Sequence, residues 1–126
     1  MKKIIFVFMA IMFATASGFA QESGAVIASE QTTHDFGQFA EKDGEVSHTF
    51  IVTNAGNSPL VINRVIASCG CTSPQWTSEP IAPGDKGEIT ITYDPEGRPG
   101  TFNKSISVYS NGKRGSFILS IKGEVL

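Results

Sequence analysis

The stretch from Phe102 to Val125 reads FNKSISVYSNGKRGSFILSIKGEV, and its pattern decides the fold. Phe102, Ile106 and Val108 fall on one face of a period-two run, with Lys104 breaking that face near its start. Phe117, Leu119, Ile121 and Val125 share a face of the next run, with Ser116, Ser120, Lys122 and Glu124 opposite. Successive side chains of a strand point to opposite sides of a sheet, so such alternation marks strands with one covered and one wet face. Asn111-Gly112 stands between the two runs and is the strongest short signal for a hairpin. Two antiparallel strands joined by a turn are predicted here.

The same period recurs upstream. His48, Phe50 and Val52 alternate with Thr49, Ile51 and Thr53, and Ile89, Ile91 and Tyr93 alternate with Thr90 and Thr92. Leu60 to Ala67 is more continuously apolar, which predicts a strand covered on both sides or at a sheet's centre. Turn-forming runs separate these segments: Asn54 to Pro59, Ala82 to Gly87, and Asp94 to Gly100 supply glycines and asparagines tolerant of positive φ, or a fixed proline φ. Beyond residue 20 the chain is rich in Val, Ile and Thr, has no Met, and holds only Leu60, Leu119 and Leu126 as leucines. β-branched side chains suit a pleated surface. About seven short strands with turn signals roughly every 8 to 12 residues predict an all-β fold, an immunoglobulin-like antiparallel β-sandwich. Phe50, Val52, Ile62, Ile89, Ile91, Phe102, Ile106, Val108, Leu119 and Ile121 are its expected core. The sandwich is assigned to residues 31–126, with 21–30 as an N-terminal lead. The Cys…Trp…Cys pin of antibody domains is absent, since Trp76 follows both cysteines and reads as a core lid in a loop.

Ahead of that domain, Met1-Lys2-Lys3 is a basic n-region, Ile4 to Ala14 an apolar run, and Gly18-Phe19-Ala20 a small-residue cleavage pattern. Residues 1–20 therefore read as a secretory signal peptide, cut between Ala20 and Gln21. The apolar run is well short of the roughly 20 residues a spanning helix needs, so no membrane span is expected after cleavage. Gln21 rather than a cysteine follows the cut, which removes the usual bacterial lipid attachment. Export to the periplasm or the extracellular space is expected. The net charge is −2 and grows more negative once Lys2 and Lys3 leave. The remaining basic residues are scattered, so neither nucleic acid nor an anionic membrane is an expected partner. What remains is on the order of 105 residues, one domain able to form a core without disulfide staples.

Cys69-Gly70-Cys71 holds the only two cysteines. In a flat strand, residues two apart sit about 6.6 Å from each other. A disulfide wants Cβ atoms nearer to about 3.8 Å, so closing the pair requires a kink that Gly70 allows. Ser68 before the pair and Thr72-Ser73-Pro74 after it also read as a bend. A local turn at Cys69 to Thr72 is expected, with both sulfurs near the surface. Three chemistries fit: a local disulfide or pair of turn thiols, a thiol-redox pair, or a soft chelate for copper(I) or zinc. A zinc shell normally needs four ligands, and His34 and His48 are the only imidazoles that could complete one. Each also reads as a partly exposed strand histidine. No nucleophile elbow or phosphate-cradling loop is present, and Asp85, Asp94 and Glu96 lie in solvated turns without calcium-loop spacing. Asn103-Lys104-Ser105 is a glycosylation sequon, relevant only in a eukaryotic secretory route. No catalytic residue is expected.

Several motifs also follow one order. They are His34-Asp35-Phe36-Gly37, Asn54-Ala55-Gly56, Pro59-Leu60-Val61-Ile62, Ser68-Cys69-Gly70-Cys71-Thr72-Ser73-Pro74, Pro80-Ile81-Ala82-Pro83-Gly84, Gly100-Thr101-Phe102-Asn103-Lys104 and Gly123. In this order the chain resembles the bacterial domain-of-unknown-function family 1573, common in exported proteins of Bacteroidota and related to Hydin-type immunoglobulin-like domains. The resemblance covers nearly all of the chain after residue 20, and Ser-Cys-Gly-Cys-Thr is its most specific part. It implies an immunoglobulin-like sandwich in an extracytoplasmic setting and no particular activity. The leading expectation is a non-enzymatic module for protein interaction or structural support at the cell envelope, needing no cofactor and serving an unidentified protein partner. The rival is a periplasmic copper(I)-binding or thiol-redox protein using the Cys-Gly-Cys turn.

Overall fold

The structure, a computed structural model, describes residues 24–113 and 116–126. The signal-peptide reading of residues 1–20, with its cut between Ala20 and Gln21, lies outside them. Eight strands follow in order: β1 (Ile27–Ala28), β2 (Thr33–Phe39), β3 (Val46–Asn54), β4 (Ile62–Ala67), β5 (Thr72–Trp76), β6 (Lys86–Tyr93), β7 (Gly100–Ser110) and β8 (Ser116–Val125). A 3-10 turn, Glu41–Asp43, links β2 to β3. The strands form two four-stranded sheets, β1-β3-β6-β5 and β2-β8-β7-β4. All pairs are antiparallel except β2 with β8, which run parallel. No helix among the described residues is long and apolar enough to cross a membrane.

The period-two reading of the core holds. All ten expected core residues are buried, and with Leu60, Val65, Ile81, Tyr93 and Val125 they form one apolar cluster. Each sheet gives one face to this layer and keeps most of its serines, threonines and charges on the other, with Thr72 a buried exception.

Four expectations need correction. The apolar run at Leu60 to Ala67 predicts a central strand, yet β4 is the edge of its sheet, with Asn63, Arg64 and Ile66 exposed. Asn63 and Arg64 need a wet side, and the Arg64 guanidinium lies 4.6 Å from the Tyr109 ring centroid on the outer face. Thr72-Ser73-Pro74 reads as a bend and Trp76 as part of a loop, but these residues are strand β5, at a sheet edge where a proline is tolerated. The hairpin between β7 and β8 is present, but Gly112 is not in the left-handed region of a tight two-residue turn. Asn111 instead ties the turn to a neighbouring loop, accepting the Val61 N–H at 2.8 Å and donating to the Pro59 carbonyl at 3.0 Å.

The fourth correction concerns the N-terminal lead, part of which is built into the sandwich. Ala25 is buried, and Ile27 and Ala28 pair with Asn54 and Thr53. Asn54 is the reason. Its buried amide donates to the Ser58 and Ile81 carbonyls at 2.7 and 2.9 Å and accepts the Val26 and Gly56 N–H groups at 3.3 and 3.0 Å. Gly56 faces the same segment so closely that a methyl there would overlap the Gly24 carbonyl oxygen. Only a glycine admits that approach.

Candidate functional site

The Cys69-Gly70-Cys71 turn joins β4 of one sheet to β5 of the other, so it is a corner at which the chain changes layers. Ser68 N–H donates to Ser105 O on β7 at 3.2 Å, and Asp94 N–H donates to Cys71 O at 2.8 Å. Each side of the corner is thereby pinned to its own sheet. Within it, Thr72 N–H donates to Cys69 O at 3.1 Å, closing a β-turn, and Gly70 is exposed at its tip. Cys69 and Cys71 are joined in a disulfide with their Cα atoms 5.2 Å apart. The Cys71 N–H also donates to Cys69 Sγ at 3.1 Å. The expectation of two surface sulfurs is corrected: Cys69 is half-buried, while Cys71 is only 4% exposed and belongs to the core cluster.

His34 and His48 come from different sheets, on β2 and β3, and meet as stacked rings. Phe36 packs edge-on to His34 at 4.6 Å, and Phe50 edge-on to His48 at 4.7 Å. His48 Nε2 lies 3.1 Å from Gln31 Oε1. Burial first, and the neighbouring His34 second, hold the His48 pKa below its ordinary 6.5. Parallel rings direct their nitrogen lone pairs along parallel planes rather than toward one point, so the stack is not a chelate. Among the described residues no three His, Cys, Asp or Glu side chains gather as a ligand set. The structure thus brings Cys69 to Cys71 and His34 to His48, but not the two pairs to each other.

Two features escaped the sequence reading. An aromatic column continues from Phe36 through Phe39 and Phe102 to Tyr93, whose ring stacks on Phe102 at 4.0 Å. Burial holds the Tyr93 phenol above its usual pKa, opposed by Arg98 and assisted by Asp94. On the outer face of β3 and β6, Ser47 meets Thr92 at 2.7 Å and Thr49 meets Thr90 at 2.8 Å. Matching hydroxyl positions in two alternating runs were the available signal. An open recess of about 750 Å³ at one end of the sandwich is lined by the carboxylates of Glu41, Glu45, Asp94 and Glu96 together with Lys42.

The sequence profile of a family described as "Protein of unknown function (DUF1573)" matches residues 27–125. No curated protein matches the sequence. Among solved structures, a protein of unknown function from Porphyromonas gingivalis W83 is 20% identical with a TM-score of 0.71, over 89% of this chain and 51% of that one. The chain therefore spans about half the length of that relative. The ASH / PapD-like domain of human CEP192 is 7% identical with a TM-score of 0.65, over 98% of both chains. The VesB protease of Vibrio cholerae is 16% identical with a TM-score of 0.62, over 80% of this chain and 32% of that one. At such identities the likeness is one of fold.

Proposed function

The chain belongs to the DUF1573 family, whose description assigns no activity, and from that membership we propose that it is an exported, non-enzymatic immunoglobulin-like module. Its role is to hold a protein partner or support structure at the bacterial cell envelope. One observation carries the reading. On the outer face of the β7-centred sheet, Ile66 and Ile118 flank Ser107 in a single row, 45% and 51% exposed. Arg64, Tyr109 and Ser116 form the next row. Apolar side chains with an adjoining tyrosine and arginine are the composition of interface centres. Every buried side-chain polar atom among the described residues already has a hydrogen-bond partner, which suits a rigid module. The test is a photo-crosslinking residue at Ile118 in cells exporting the protein, with the same residue at Ser73 on the other sheet as control. A defined envelope adduct from position 118 alone supports the reading. No adduct, or equal adducts from both positions, overturns it.

A second reading, the thiol pair, is favoured by the Cys71 N–H that donates to Cys69 Sγ. After reduction the same N–H would stabilise a Cys69 thiolate, leaving two sulfurs within one turn as a soft pair for copper(I). Thiol titration of protein purified without reductant, then anaerobic competition with a copper(I) chelator, tests it. A reduced protein that takes no copper, with a disulfide that resists mild reductants, ends that reading.

A further inference from the structure

Four strand edges bound the two sheets, and open edges invite another strand unless something blocks them. Three are blocked. On β5, the Asp94 to Cys71 and Thr77 to Glu88 hydrogen bonds show that the odd-numbered residues face β6. Thr72, Pro74 and Trp76 therefore turn their backbone outward, and Pro74, at the middle, has no N–H to offer. The edge of β4 is short, with an irregularity between Ile62 and Arg64 that leaves only Arg64 to Ala67 as regular strand beyond it. The edge of β2 is broken between Asp35 and Gln38, where Gly37 adopts a φ of 73° and its N–H is held by Asp35 Oδ1 at 2.8 Å.

The fourth edge is β3, because β1 covers only Thr53 and Asn54 before the chain leaves for the other sheet. Asn54 N–H donates to Asp85 O, and Gly84 N–H to Asn54 O, so even-numbered residues of β3 face β6. Ser47, Thr49, Ile51 and Thr53 then direct their backbone groups away from it. Thr53 meets Ala28, and the Ile51 carbonyl accepts the Ser29 hydroxyl at 2.8 Å. Among the described residues nothing pairs with the backbone of Ser47 or Thr49. The strip from Val46 to Thr49 contains no carboxylate, ammonium, proline or glycine, and its pairing with β6 shows no bulge.

We propose that the open edge of β3 is a self-association site, where a second copy of this chain adds antiparallel along Val46 to Thr49, the stretch not flanked by Ser29. The two β3-containing sheets would then become one continuous eight-stranded sheet. A two-fold related copy presents outward N–H and C=O groups in matching phase, because the edge is the same on both sides. The side chains along the strip are valine, serine, histidine and threonine, so no carboxylate or ammonium is set against its like. Charge fit is what favours a copy: a neutral strip offers no counter-charge to the charged edges most proteins present. The strip is short, so the pairing is reversible and concentration-dependent. This inference stands on the backbone edge alone and goes beyond the envelope role, whichever partner the outer isoleucines hold.

Sedimentation velocity of the exported protein over a wide concentration series tests it, with a monomer-to-dimer rise expected. Thr49→Pro removes the outward N–H without touching the β6 ladder and is expected to weaken the dimer by about tenfold or more. Thr49→Lys keeps the N–H but adds a gatekeeping charge, with the same expected direction. Ser73→Lys, on the same outer face but away from this edge, should leave the dimer intact, and circular dichroism checks each fold. Hydrogen exchange needs no variant: the Ser47 and Thr49 amides should slow as wild-type concentration rises. A monomer at every concentration, a dimer insensitive to both Thr49 variants, or concentration-independent exchange at those amides overturns the proposal.

Discussion

The imidazoles of His34 and His48 lie parallel with centroids 3.6 Å apart and planes 7° from each other, one ring from each sheet. They join the two layers on the side where β1 has ended and the chain has crossed to begin β2. Two neutral rings stack favourably there; two imidazolium ions would repel across the same gap.

Stability should therefore fall on acidification. The fold favours neutral His48, held below 6.5 by burial and then by His34, so the unfolded chain binds that proton more readily. The contribution is complete above the unfolded value and is lost as pH drops through the lowered one. Urea midpoints should decline between about pH 7 and about pH 5, and His34→Phe should flatten that decline while keeping a ring in place. An unchanged slope in the variant would contradict the coupling.

Asn54→Ala should cost about 3 kcal/mol or more, because its amide's four hydrogen bonds are lost and only the Ile81 carbonyl keeps another partner, the Leu60 N–H. Asn54→Asp should not rescue it, since a carboxylate cannot donate to the Ser58 and Ile81 carbonyls. Hydrogen exchange of residues 24–28 should rise first, ahead of the global transition seen by denaturant melts.

Replacing both cysteines by serine should leave the sandwich folded. The closed loop is so short that its entropic worth is about 1 to 2 kcal/mol, and the core does not depend on it. The two sites should differ: Cys71 is a core residue and Cys69 is not, so Cys71→Ser should cost more than Cys69→Ser. Equal losses would place both sulfurs in equivalent surroundings. Chemical denaturation of the two single variants and the double variant decides the matter.

Phe102→Ala should destabilise by about 3 to 5 kcal/mol. The ring is stacked on Tyr93 and edged by Phe39, so its removal opens a gap beneath three aromatic neighbours. Near-ultraviolet circular dichroism should lose tyrosine signal before the far-ultraviolet signal changes. A variant as stable as the wild type would remove Phe102 from the core.

The long strands were legible because burial of one face writes itself as alternation, and β3, β6, β7 and β8 alternate over most of their length. β1 was not legible, because two residues carry no period and its place depends on Asn54 and Gly56, far along the chain. β4 was misread because its apolar run mixes two causes. Leu60 is buried by bridging to Ile81 in a loop, whereas Ile66 belongs to an outer face. The Cys69 to Thr72 turn could be seen locally through Gly70. That it marks the passage between layers could not, since sheet membership is decided by partners on β6 and β7. The meeting of His34 with His48 is of the same kind, a product of two sheets closing on each other.

The parallel pairing of β2 with β8 also dictates an order of assembly. Thr33 aligns with Ser120 and Phe39 with Val125, so an early strand of this domain is held by its final one. β8 lies inside its sheet, between β2 and β7, and neither neighbour has its final partner until the C-terminal residues are present. A chain delivered N-terminus first, from a ribosome or through a pore, must keep β2 waiting with its edge unsatisfied through most of its synthesis or passage. Closing so long a loop before any reward is slow, and non-local pairings of this kind lengthen folding times. The waiting strand carries its own break at Gly37 and a charge at Asp35, which lowers its appetite for a wrong partner in the interval.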